Sequence, residues 1–142
     1  MLELFTSEKE RQNRSHFKHL VAIAKLDGYI SHEESIFLDK VGRKIHLSPE
    51  DISSLINASD LGELIVPKEL RMKFELLYEA LQMTYADGFI SEDELDFCND
   101  FAAKLGFKKE VTTVIVRRIG MGLELKDEKE NIYFNIKPFM LL

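Results

Sequence analysis

Cysteine occurs once in the 142 residues, as Cys98. No disulfide can close within the chain, and the thiol usage fits a reducing compartment, the cytoplasm. Proline occurs three times and glycine seven times, too sparsely for a turn-dense β-sandwich and in keeping with helices. No apolar run approaches the roughly 20 residues that a membrane-spanning helix needs. The opening MLELFTSEKERQNRS lacks the basic-then-apolar order of a signal peptide. Basic charge is not in excess either: 19 Lys and Arg stand against 25 Asp and Glu, a net charge of −6. That balance excludes a strongly basic nucleic-acid binder. With 45% apolar and 31% charged residues the chain has a soluble globular composition, long enough to bury a core of its own.

One stretch lacks basic residues altogether. Residues 74–103 hold Glu75, Glu79, Asp87, Glu92, Asp93, Glu94, Asp96 and Asp100 with no Lys or Arg. Such a block repels phosphate backbones and attracts cations or basic partners; a solvated helical face has the same composition.

An internal repeat organises the chain. Asp27-Gly28-Tyr29-Ile30-Ser31-His32-Glu33-Glu34 recurs as Asp87-Gly88-Phe89-Ile90-Ser91-Glu92-Asp93-Glu94, 60 residues on. The register continues without gaps: Phe37 matches Phe97, Lys44 matches Lys104 and Glu50 matches Glu110. Apolar spacings of three and four predict helices around each copy. Phe17, Leu20, Val21 and Ala24 mark one from about 8 to 26, and Ile36, Phe37, Val41 and Ile45 a second. Ser48-Pro49 starts a third, with Ser as cap and Pro at the first helical position. Pro67 is expected to open the fourth, striped by Leu70, Phe74, Leu77 and Leu81, and Leu95, Phe97, Phe101 and Leu105 stripe the fifth. Residues 111–119 are β-branched, but their place in the repeat favours helix. The expectation is an all-α bundle of about six to seven helices built from two helix–DG turn–helix units, with residues 20–52 and 80–112 superimposable.

Most of the DG turn has a structural explanation. Gly28 and Gly88 stand where a helix must stop, and glycine tolerates the left-handed conformation of a C-cap. Ser31 with Glu34, and Ser91 with Glu94, have capping-box spacing. Asp27 and Asp87 are not explained in this way: a carboxylate at a helix C-terminus faces the negative end of the macrodipole. The amides of the following helix or a cation must compensate. An EF-hand loop fails, because its first and third ligand positions would be Ile23 and Lys25, then Met83 and Tyr85. A cation site would instead draw on Asp27 and Glu34 with Asp87, Glu92, Asp93 and Glu94. Hard oxygen ligands favour Ca²⁺, Mg²⁺ or Mn²⁺ over zinc.

Ala86-Asp87-Gly88-Phe89-Ile90-Ser91-Glu92-Asp93-Glu94, with Leu105-Gly106-Phe107 closing the next helix, resembles the TerB-like tellurite-resistance family over roughly residues 15–122. The first copy departs from the family pattern at Leu26 and His46. The resemblance implies an all-helical bundle of two similar halves, acidic metal-binding residues around the DG turns, and a role with protein partners in stress-response assemblies, some of them near the membrane.

Other chemistry is thinly represented. His16 and His19 are a helical three apart but lie among Arg11, Arg14 and Lys18, as on a solvated face. His32 and His46 read as surface residues, and Cys98, beside Phe97 and Phe101, as a buried inert thiol. No nucleophile elbow or phosphate-binding glycine loop occurs. The sequence thus reads as a non-enzymatic interaction module over residues 1–123, taking a protein partner of basic character. The alternative is a metal-dependent enzyme using the acidic cluster at 87–94. Residues 124–142 read as a polar linker and an apolar tail, in which Pro138 blocks a continuous helix. Two readings of the tail stay open: folding back over the bundle, towards Leu2, Leu4 and Phe5, or pairing with a second copy in a homodimer.

Overall fold

The computed structural model describes residues 7–58 and 66–142, with the side chain of Asp27 outside the description. Leu2, Leu4 and Phe5 also lie outside the described residues. Among the described residues, seven α-helices form an all-α bundle: α1 (Glu8–Ala24), α2 (His32–Lys44), α3 (Pro49–Asn57), α4 (Leu70–Thr84), α5 (Glu92–Lys104), α6 (Lys109–Glu124) and α7 (Lys129–Met140). No strand occurs among the described residues. None of the described helices is long and apolar enough to cross a membrane.

The helix boundaries fall 60 residues apart. The ends of α2, His32 and Lys44, correspond to those of α5, Glu92 and Lys104. Ala24 and Thr84 close α1 and α4, and Pro49 and Lys109 open α3 and α6. The β-branched run is helical within α6. Pro67 does not open α4; it precedes the helix, which begins at Leu70 after the N-cap Glu69.

α4 is the central helix and packs against α1, α2, α5 and α6. It accordingly buries several of its sides, with Phe74, Leu77, Tyr78, Ala80, Leu81, Met83 and Thr84 all removed from water. Phe17, Leu20 and Ile23 of α1 and Ile115 and Ile119 of α6 complete the middle of the core.

Three hairpins, α2–α3, α5–α6 and α6–α7, share one form of joint. A residue with positive φ ends the first helix: His46 (65°), Gly106 (104°) and Lys126 (59°). In each, an amide one residue later bonds back to a carbonyl of the last turn: Leu47 to Gly42, Phe107 to Ala102 and Asp127 to Gly122. Two of the three also use a glycine for close approach. A Cβ on Gly42 would stand 2.7 Å from Ile52, and one on Gly122 would stand 2.5 Å from Ile132.

The C-terminal segment corrects the sequence reading. Only residues 125–128 link, and α7 continues through Pro138. That proline lies in the last turn, where it forfeits one backbone bond to the carbonyl of the exposed Phe134. Ile132, Ile136 and Met140 are buried, and α7 packs on α6. Its start is tied to α4 by Tyr133 against Phe74, with ring centroids 4.9 Å apart, and by a bidentate pairing of Arg71 with Glu130. Leu141 and Leu142 remain exposed.

Candidate functional site

The two DG joints are built alike. Gly28 and Gly88 adopt φ of 94° and 84°, and nothing lies within 4 Å of a Cβ added at either. They are glycine for the backbone's sake, not for space. Ser31 and Ser91 cap α2 and α5, and both capping boxes are complete: each Ser hydroxyl accepts from the Glu amide three residues on, and each Glu carboxylate accepts from the Ser amide. The Glu residues therefore point back into the joints.

The cation facing the second joint comes from the protein itself. Lys44, the last residue of α2, donates its ammonium to the Thr84 carbonyl (2.6 Å) and the Phe89 carbonyl (2.9 Å). Its Nζ also lies 2.7 Å from Glu94 Oε2 and 3.2 Å from Asp87 Oδ1. Two carbonyls and two carboxylates thus surround one ammonium. Asp87 further accepts from the Phe89 amide at 3.1 Å. Partial burial would raise the Asp87 carboxyl, but the bonds from Lys44 and the Phe89 amide outweigh it and hold the group below its usual range.

The first joint receives the reciprocal residue. Lys104, ending α5, donates to the Ala24 carbonyl (3.2 Å) and to Glu34 Oε2 (3.1 Å). Burial opposes ionisation of Glu34, yet hydrogen bonds from the Ser31 amide, Lys104 and the Ser31 hydroxyl bring its carboxyl below the ordinary value. Each α2/α5 lysine therefore closes the joint of the other half. The two lysines appear in the sequence as a repeated identity, but their role needs the tertiary crossing to be seen.

These lysines engage three of the six candidate cation ligands. Glu34 is bound to Lys104, and Asp87 and Glu94 share Lys44. Glu92 is exposed and faces Arg117 at 3.4 Å, and Asp93 is exposed on α5. The side chain of Asp27 lies outside the described residues. Among the described residues no group of three or more His, Cys, Asp and Glu is disposed to hold a metal ion.

The same contacts set α2 and α5 antiparallel. Glu34 at the start of α2 meets the end of α5, and Lys40 and Lys44 meet Glu94 at the start of α5. At mid-length Phe37 stacks on Phe97, with centroids 3.6 Å apart and planes 15° from parallel. Above this pair lies a groove of about 930 Å³ between the two helices. Six carboxylates and two ammonium groups line it, together with Ile36, which is 58% exposed.

Two further places refine the sequence reading. His16 and His19 do not simply face solvent: His16 Nε2 lies 3.4 Å from Glu79 Oε1 and His19 Nδ1 3.2 Å from Glu79 Oε2. The carboxylate comes from α4, out of reach of any local inspection of α1. Cys98 is fully buried beside Thr84, and burial pushes its thiol up to about 12, against a weaker opposing bond from Thr84. It is an inert core residue. No family model, curated protein or solved structure matches the chain.

Proposed function

We propose that this chain is a non-enzymatic helical interaction module of TerB-like type, made of two copies of one helix–DG turn–helix unit, and that it receives a protein partner along the α2–α5 groove. The observation that carries this reading is the groove itself. It combines an aromatic floor, Phe37 on Phe97, with an exposed apolar residue, Ile36, and a surplus of carboxylates. Apolar anchors surrounded by a charged rim are the usual anatomy of a protein-binding patch. The lysines support a structural role for the acidic joints, since Lys44 and Lys104 neutralise carboxylates that would otherwise want a foreign cation. The joints then fix the two helices that frame the groove.

The test is selection of displayed random peptides on the immobilised protein, followed by chemical-shift mapping of the winners. Binders should perturb Ile36, Phe37 and Phe97 and lose binding to Ile36→Asp. Winners that map consistently to α7 or to the α3 side would overturn the reading.

A further inference from the structure

The two edges of the groove occupy equivalent places in the 60-residue register but differ in chemistry. Glu33, Ile36 and Lys40 of α2 correspond to Asp93, Asp96 and Asp100 of α5. Both sets have i, i+3, i+7 spacing, so each lies along one side of its helix. The α2 edge is mixed, with an apolar centre, whereas the α5 edge is wholly anionic. Helix-dipole stabilisation accounts for Asp93 in the first turn of α5, but it fades beyond that turn and leaves Asp96 and Asp100 unexplained. None of the three aspartates has an ion-pair partner among the described residues. The carboxylates that do have lysine partners, Glu34 and Glu94, belong to the joints. The edge is thus an exposed anionic face without ion pairs among the described residues.

We infer that the occupant of the groove is an amphipathic helix with a basic side, which lays apolar residues on Ile36 and the Phe37–Phe97 pair and aligns Lys or Arg with Asp93, Asp96 and Asp100. This rests on the interaction-module reading and adds the chemistry of the partner. Spacing selects a helix: three aspartates over seven residues span about 10 Å, two helical turns, and a basic residue on every turn of a partner helix repeats at the matching interval of about 5.4 Å. Charge selects the sign, and the difference between the edges selects the rotation: the apolar side turns towards α2 and the basic side towards α5. Charge also selects a direction. The antiparallel pairing places Glu33 at the end of the groove shared with Asp100, whereas Lys40 shares its end with Asp93. The partner's positive charge is concentrated at the Glu33–Asp100 end.

The probe is a synthetic 18-residue Leu/Ala/Lys peptide with Lys on one side and Leu on the adjoining side. Two further peptides carry Gln or Glu in place of Lys. Binding is measured by titration calorimetry at low and high salt. The protein is used as wild type, as the triple variant Asp93→Asn/Asp96→Asn/Asp100→Asn, and as Ile36→Asp; these substituted positions are exposed, and melting curves verify folding. The lysine peptide should bind and weaken with salt. The triple variant should weaken it about tenfold, Ile36→Asp by at least as much, and the Glu peptide should not bind. Equal binding of the Gln and Lys peptides, both lost in Ile36→Asp, would overturn the basic partner and leave the module reading standing. Binding of the Lys peptide that ignores Ile36→Asp and is fully displaced by spermidine would reduce the edge to a counter-ion surface and overturn the inference. Failure of all three peptides would overturn it as well, while the displayed-peptide selection judges the module reading separately.

Discussion

The first and second DG joints share Asp-Gly, Ile-Ser, the capping Glu and the closing Lys at the same spacing, yet they differ in how far water reaches them. Lys44 and Glu94 at the second joint are 7% and 1% exposed, whereas Lys104 and Glu34 at the first are each 20% exposed. Gly88, Phe89 and Ile90 face the later part of α6, where Ile90 comes within 3.8 Å of a Cβ built on Gly120. The counterpart of Gly120, residue 60, lies outside the described residues. The same capping-box and lysine chemistry is thus held at two levels of exposure.

The largest effect that tests this contrast is loss of the lysines. Lys44→Met leaves Glu94 buried without its principal cation and should cost about 3–5 kcal/mol. Lys104→Met strands a carboxylate that water can reach and should cost about 1 kcal/mol. Urea denaturation of the two variants measures the difference, and equal losses would break the comparison. The glycines should behave in the opposite way. Gly28→Val and Gly88→Val each force a β-branched residue into a left-handed conformation with open space around it. Each should cost about 1–3 kcal/mol, and the two should agree, because the strain is in the backbone and not in the surroundings. Ser31→Ala and Ser91→Ala come next, at about 1 kcal/mol each by thermal melting; unchanged melting of either would remove the capping box at that joint.

The smallest effect concerns acid. The Glu34 carboxyl is held below its ordinary value of 4.5 in the folded chain, so it contributes stability that is complete above that value and lost as pH falls through the lowered one. Stability of the wild type should decline from about pH 4.5 downward, and Glu34→Gln should flatten part of that decline while lowering stability at neutral pH. Melting curves from pH 7 to 3 check it. An unchanged acid profile would show that the first joint holds its carboxylate no more firmly than water does.

Helix type and most helix boundaries were legible because they rest on local signals: Ser caps at 31, 48 and 91, glycine stops at 28 and 88, and the apolar spacing of Phe74, Leu77 and Leu81. Pro138 misled, since a proline in a last turn sacrifices little and the buried Ile132, Ile136 and Met140 outweigh it. The site was legible only in part. The unexplained charge of Asp87 called for backbone amides or a cation, and it meets both the Phe89 amide and Lys44, the latter 43 residues upstream and on another helix. The groove was invisible for the same reason, because Ile36 and Asp96 become opposite edges only when α2 and α5 lie antiparallel. The convergence of His16 and His19 on Glu79 likewise depends on α1 meeting α4.

The oxygen cage around Lys44 makes its nitrogen a reporter of motion. An amine-modifying reagent must approach Nζ, and four oxygens already occupy its surroundings at 2.6, 2.7, 2.9 and 3.2 Å. Labelling can proceed only while the second joint is open. In a time course followed by peptide mass mapping, the exposed Lys40 one turn away should be modified promptly and serve as an internal clock, with Lys44 lagging behind it. The lag measures how often the joint parts, and because Lys44 ends α2, it reports how steadily that helix is held as one wall of the groove.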